Sequence, residues 1–214
     1  MADYIDRLLH RFGCVLEINN YYWKHTDGGD DGDRIRVENL VRAVSEITNQ
    51  KIEKYVVDEE SDLERSKCIR YAEGCVILVY KEADERWKRF SVVKELCHIA
   101  CDDAEEMQSD TVEALVSMLP EHSDSVDDLG AGQPNQHAER LAEYAAVELL
   151  YPIDFRDKDI AFVESKAKTY TQISKERGVP EVFVEAYLKR KMNDSMRTML
   201  TLATALRESQ KTQD

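Results

Sequence analysis

Apolar residues recur at intervals of three and four positions in several parts of the chain. This spacing predicts amphipathic helices over residues 3–12, 35–48 and 138–150, with two or three more towards the C-terminal end. We expect these last helices to be broken at residues 178–180, which contain glycine and proline, and again near 193–194. Helices therefore dominate the predicted second half of the chain.

Segments rich in β-branched residues are confined to the first half. They predict a short strand at residues 15–18 and longer ones at 52–57 and 67–81. The last of these contains a hairpin that turns near Gly74. Because strands come first and only helices follow, the predicted class is α+β, with a small sheet followed by a mostly helical C-terminal half.

A further helix is predicted to begin near Arg89, after the last strand. Its residues 94–98 match the zinc-peptidase pattern H-E-x-x-H at Glu95 and His98, but Lys94 replaces the first histidine. In that pattern two histidines on one helix face bind zinc, and the glutamate activates the metal-bound water. A lysine ammonium has no lone pair to offer, so one ligand is missing.

The helix predicted over residues 138–150 supplies a second motif. Residues 139–143, E-R-L-A-E, fit the form E-x-x-A-D or a near variant, in which a carboxylate from the next helix completes the zinc site. The segment continues with Ala145-Ala146 and ends in the sequence L-L-Y-P at 149–152. Because two motifs agree in order and spacing, an accidental match is disfavoured.

The two motifs resemble those of the ImmA/IrrE family of metallopeptidases. That family carries R-F-x-x-x-H-E-x-x-H and then E-x-x-A-(N/D), with a proline 13 residues after the glutamate, as Pro152 follows Glu139 here. Such proteins are intracellular, are frequent in prophages and mobile elements, and typically cleave or otherwise inactivate helix-turn-helix repressors. The resemblance implies a zincin-like peptidase domain over residues 1–190, followed by a helical extension at 191–214.

Transferred residue by residue, the resemblance implies that Glu95 is the general base and that His98 and Glu139 bind zinc. Glu143 stands where the family has Asn or Asp, and Lys94 stands at the first ligand position. A catalytic zinc site needs three protein ligands and a water molecule. We therefore expect a degenerate site, in which the Lys94 ammonium takes the place of the metal near Glu139 and Glu95.

An active zinc endopeptidase is the alternative, and it needs a substitute third ligand. Cys101 lies three residues after His98 and has the easiest geometry, although a helical cysteine at core spacing is more often a small buried hydrophobic residue. Cys97, His122 and His137 are further candidates. This hypothesis makes the protein a hydrolase, whereas the degenerate site makes it a pseudoenzyme.

DNA binding is a hypothesis of another class. Residues 171–191 have the rhythm of a helix-turn-helix, with Gly178 at the turn and a basic end at 189–191. However, the recognition helix would carry Glu181 and Glu185 and no Arg, Asn or Gln to contact base edges. Its composition argues against nucleic acid as a partner.

A pure interaction module is the third hypothesis. An inactive peptidase fold can hold a repressor-like partner, for example by adding a strand to the edge of the strand that precedes the active helix. The last predicted helix, at 192–207, carries a stripe of methionine, leucine and alanine. This stripe is a candidate for core packing or for an oligomer contact.

The charge is strongly negative and uneven. The chain has a formal net charge of −14, and residues 95–139 contain 12 carboxylates and no lysine or arginine. The surface of such a chain as a whole would repel the phosphates of a nucleic acid. The acidic stretch is either a solvated face or the source of a negative field near the candidate site. An acidic loop at 27–33 also carries part of a calcium-loop pattern, which acidic loops easily mimic.

Cysteine usage and the start of the sequence point to a compartment. The five cysteines are an odd number, and the N-terminal residues lack the basic and apolar parts of a secretory signal. No apolar run approaches the roughly 20 residues of a membrane span. We expect a cytoplasmic protein with reduced thiols and without membrane contact.

Overall fold

Helices dominate the part of the chain that the structure describes, and three strands form one small sheet. A computed structural model describes residues 2–25, 34–58, 66–71, 74–81, 84–101 and 134–211. In chain order the elements are α1 (Ala2–His25), α2 (Val37–Thr48), β1 (Lys51–Val57), β2 (Ser66–Tyr71), β3 (Gly74–Tyr80), α3 (Glu85–Cys101), α4 (Pro134–Leu150), α5 (Ile153–Glu164), α6 (Tyr170–Arg177), α7 (Glu181–Tyr187) and α8 (Arg190–Lys211). The predicted α+β class is confirmed.

The sheet has the strand order β1-β3-β2. β2 and β3 are antiparallel, with Tyr71 opposite Gly74, which confirms the predicted hairpin. β1 runs parallel to β3 and places Lys51 beside the same glycine. A Cβ atom at Gly74 would lie 2.1 Å from the carbonyl oxygen of Lys51, so this position accepts only glycine without a backbone shift.

The strand order corrects one expectation about partner binding. β3, the strand that precedes the helix with the H-E-x-x-H-like sequence, pairs with a neighbour on each side. Its backbone groups are used within the sheet, so it cannot accept an added strand, and that part of the interaction-module hypothesis was wrong. Within the described residues, β1 and β2 form the edges of the sheet.

The predicted strand at residues 15–18 is absent, because α1 continues without a break from Ala2 to His25. Val15, Ile18 and Tyr22 are almost fully buried and extend the apolar stripe of the first helical turns. The apolar residues in this short run thus belong to one face of a helix, as their spacing relative to the other buried residues of α1 shows.

α3 lies in the middle of the core. It packs against α1, α2, α4 and the strands β2 and β3. Its apolar side chains Phe90, Val93, Leu96 and Cys97 are buried. Because so many elements surround α3, polar side chains on this helix meet groups from other parts of the chain.

The C-terminal helices partly follow the prediction. Gly178 has a φ of 65° and ends α6, which confirms the break at 178–180. The second predicted break is wrong, because α8 runs through Asn193 from Arg190 to Lys211. The Asn193 side chain is buried and donates a hydrogen bond from Nδ2 to Asp157 Oδ1 at 3.1 Å, so it fixes α8 against α5.

Part of the apolar stripe of α8 packs into the core. Met196 and Ala203 are buried, whereas Leu202 and Leu206 are exposed. α8 packs against α1, and its Arg207 Nη1 donates to the carbonyl oxygen of Gly13 at 2.6 Å. None of the described helices is long and apolar enough to cross a membrane.

Two buried ion pairs connect α4, α5 and α6. The Arg177 guanidinium donates two hydrogen bonds of 2.8 Å to Asp159, which also accepts one from the Tyr151 hydroxyl at 2.8 Å. Arg156 pairs with Glu148, and both side chains are buried. Each charge has a partner, as charges in a protein interior require.

Candidate functional site

Facing positions on α3 and α4 bring four of the predicted site residues together. Lys94 Nζ lies 2.6 Å from Glu139 Oε2 and 3.9 Å from Glu95 Oε1. His98 Nε2 lies 3.0 Å from Glu139 Oε1. Both oxygens of the Glu139 carboxylate therefore face a nitrogen from α3.

The strand β2 contributes two further contacts to this cluster. Ser66 Oγ donates a 2.8 Å hydrogen bond to Glu95 Oε1, and Arg70 Nη2 donates a 2.9 Å hydrogen bond to the carbonyl oxygen of His98. No motif in the sequence marks either residue. In the structure, side chains along β2 alternate between half-buried and exposed, and Ser66 and Arg70 both lie on the half-buried face.

Lys94 is a largely enclosed cation. Its side chain is 22% exposed. Burial alone would lower the pKa of the ammonium, but Glu139, Glu95 and Glu143 outweigh it and raise the pKa above its usual value. The residue is therefore positively charged at neutral pH, and it is not a solvated surface lysine.

Glu139 is the matching anion. Burial alone would raise the pKa of its carboxyl group, but the hydrogen bond and charge of His98 together with the Lys94 ammonium hold this pKa well below its usual value of 4.5. The folded state thus favours the ionised carboxylate. This stabilisation is present above pH 4.5 and is lost as the pH falls from that value towards the pKa of the folded state.

The contribution of Glu139 can be measured through its pH dependence. We expect Glu139→Gln to lower the free energy of unfolding near pH 7, and this difference from the wild type should shrink as the pH falls below 4.5. Below that pH the unfolded wild type takes up a proton that the folded protein does not. Urea unfolding of both proteins from about pH 7 to about pH 3 measures the effect, and a difference independent of pH would contradict the assignment.

The remaining predicted positions lie around this cluster or point away from it. Glu143 is half-buried, and its charge acts on Lys94. The Cys101 thiol is buried and hydrogen-bonded to Cys14 on α1. Cys97 is fully buried in the core. Residue 122 and the side chain at position 137 lie outside the described part of the chain.

The zinc ion that the family resemblance implies does not fit these residues. His98 and Glu139 stand at positions that bind zinc in the family. Here His98 Nε2 lies 3.0 Å from Glu139 Oε1, so the two side chains contact each other directly. The Lys94 ammonium pairs with the second oxygen of Glu139. In a zinc site, a third ligand would stand at the position of Lys94, and the metal would lie between it and Glu139. Among all described residues, no group of three or more His, Cys, Asp or Glu is arranged to hold a metal.

The exposed face of the would-be recognition helix is acidic. α6, the turn at Gly178 and α7 follow in the predicted order, and Glu181, Val182 and Glu185 form the exposed side of α7. Glu181 also accepts a 2.7 Å hydrogen bond from Thr171 Oγ1. A phosphate backbone would be repelled by this face.

The partial calcium-loop pattern is mostly outside the described residues, which exclude 26–33. Its last acidic position, Glu38, lies in the first turn of α2. There it pairs with Lys54 on β1 at 3.3 Å. The Glu38 carboxylate thus pairs with a lysine of the same chain, and the calcium-loop pattern gains no support.

Comparison with known proteins gives no assignment. No protein-family model matches the chain, and no curated protein matches it significantly. The geometry of the cluster on α3, α4 and β2 therefore carries the functional argument.

Proposed function

We propose that this protein has a zincin-like fold of the ImmA/IrrE type and acts as a protein-binding regulator without zinc chemistry. The observation that carries the proposal is the ion pair between Lys94 and Glu139, 2.6 Å apart at the first ligand position of the family motif. Glu95, the expected general base, is held by Ser66 and lies 3.9 Å from the same ammonium. These contacts give the cluster a structural role.

The proposed partner is a helix-turn-helix repressor-like protein, the usual target of the family that the chain resembles. Charge complementarity supports this choice. Repressors of this type bind DNA phosphates through basic surfaces, and this chain has a formal net charge of −14 with 12 carboxylates in residues 95–139. Opposite charges speed association and select partners.

The test separates a regulator from a peptidase. A basic helix-turn-helix repressor encoded in the same genome is mixed with the wild type, with Glu95→Gln and with a charge-reversed Glu181→Lys control on the exposed face of α7. We expect the wild type and Glu95→Gln to retain the repressor on a column equally well, and neither to shorten it with or without added zinc. Binding by Glu181→Lys should be unchanged, because the proposed attraction comes from the acidic stretch at residues 95–139 and Glu181 lies outside it.

Two results would overturn the proposal. Repressor fragments that require both zinc and Glu95 would show an active peptidase. Failure of the wild type to retain any basic repressor would remove the binding function. Metal analysis of the same wild-type preparation supplies an independent check, with an expected content well below one zinc per chain.

A further inference from the structure

Two cysteines from distant parts of the sequence meet at the contact between α1 and α3. The thiols of Cys14 and Cys101 are hydrogen-bonded to each other. Cys14 Sγ also lies 3.9 Å from the carbonyl oxygen of Ala100, at the end of α3, and 3.8 Å from His10 Nε2. Cys14 is half-buried, whereas Cys101 is buried.

The surroundings of the two thiols shift their pKa values in opposite directions. The hydrogen bond from Cys101, with further help from His10 and Arg11, lowers the pKa of the Cys14 thiol to about 5 against the effect of burial. The same hydrogen bond and burial raise the pKa of Cys101 well above its usual value. The Cys14 thiol is thus the more acidic of the two and lies half-buried beside His10, whereas the buried Cys101 thiol favours its protonated form.

A second thiol pair in the sheet provides a natural comparison. Cys68 on β2 contacts Cys75 on β3, and burial raises the pKa of Cys68 to about 12. Cys75 is buried and donates a 3.1 Å hydrogen bond to Gln50 Oε1. Each pair thus places a half-buried thiol beside a buried one. The pairs differ in the half-buried thiol, whose pKa is lowered for Cys14 beside His10 and raised for Cys68 in the sheet.

We propose that Cys14 is a peroxide-reactive residue and that Cys101 is its resolving partner. Such sites consist of an accessible thiolate next to cationic groups, with a second cysteine within reach. This modification site is independent of the cluster around Lys94 and of the regulator function proposed above.

The chemistry requires a hydroperoxide as oxidant and two protein thiols. The Cys14 thiolate attacks one peroxide oxygen, the O–O bond breaks, and the second oxygen leaves with a proton as water or as an alcohol. The Cys101 sulfur then attacks the sulfenic sulfur of Cys14, the S–O bond breaks, and the hydroxyl leaves as water with the Cys101 proton. Each sulfur loses one electron, the peroxide gains two, and a dithiol reductant reverses the change.

The disulfide would join two helices that the sequence places far apart. Cys101 is the last residue of α3, the helix that carries Lys94 and His98, and Cys14 lies in the middle of α1. Oxidation would therefore fasten the end of the site helix to α1. Reduction would release it.

The experiment uses the full chain, hydrogen peroxide and mass spectrometry. Of the five cysteine thiols, we expect two to disappear in the wild type, with a peptide map that links Cys14 to Cys101 and full recovery after treatment with dithiothreitol. Cys101→Ser should stop at a sulfenic acid on Cys14, which dimedone traps. Cys14→Ser should form no disulfide, and Cys68→Ser should behave like the wild type.

Several outcomes would overturn the proposal. They are a first disulfide between Cys68 and Cys75, the absence of a linked Cys14–Cys101 peptide in the oxidised wild type, and a failure of dimedone to label Cys14 in Cys101→Ser. The wild-type peptide map needs no substitution, so the test does not depend on the folding of a variant.

Discussion

Replacing Lys94 by histidine is expected to convert the cluster into a zinc site. Histidines at positions 94 and 98 would lie on one face of α3, and Glu139 already reaches both positions from α4. The three side chains then match the ligand set of a catalytic zinc site. We expect Lys94→His to bind one zinc per chain and, at free zinc about 100-fold above its Kd, to gain about 2.7 kcal/mol in the free energy of unfolding.

The matched control is Lys94→Met, which removes the charge without adding a ligand and should bind no zinc. A second control, Lys94→His combined with Glu139→Gln, should lose most of the gained affinity. Isothermal titration and metal analysis measure all three proteins. If Lys94→His folds and still binds no zinc, α3 and α4 are not placed as a zincin-type site requires.

The second large effect concerns the ion pair between α5 and α6. Asp159→Asn would leave the Arg177 guanidinium buried without its counter-charge, since Arg177 is 4% exposed. Breaking a buried pair in this way costs about 3–5 kcal/mol. We expect a loss of that size in the free energy of unfolding, measured by urea denaturation.

An exposed ion pair in the same region serves as the control. Arg190 and Glu164 pair at 2.5 Å, but their side chains are 75% and 51% exposed. Because solvent screens such pairs, Glu164→Gln should change the free energy of unfolding by less than about 1 kcal/mol. Equal losses for both substitutions would show that burial does not set the strength of the Asp159 pair.

The sequence predicted the elements best where a regular pattern continued over many residues. α2, β1, the hairpin and α4 follow from periodicity and turn residues. The error at residues 15–18 arose because a strand was inferred from four residues, whereas the helical stripe continues to Tyr22. The error at Asn193 arose because Asn and Asp favour turns and helix ends, but here the Asn193 side chain donates a hydrogen bond to Asp157 and the helix continues.

The sequence predicted most of the residues that form the site but only some of the contacts between them. The resemblance of two motifs to those of a metallopeptidase family predicted that Lys94, His98 and Glu139 lie together, and the structure brings Glu139 into contact with both other side chains. The roles of Ser66 and Arg70 could not be foreseen, since they depend on the register between β2 and α3. Likewise, no local pattern connects Cys14 with Cys101, because a tertiary contact between two helices brings them together.

The contact between α1 and α8 has a consequence for biosynthesis. The hydrogen bond from Arg207 to Gly13 spans 194 positions of the sequence. At the usual ribosomal rates of 5–20 residues per second, about 10–40 s pass between synthesis of these two residues. During that interval the face of α1 that receives α8 has no native partner on the growing chain. This surface therefore gains its native cover only after the last helix has been made.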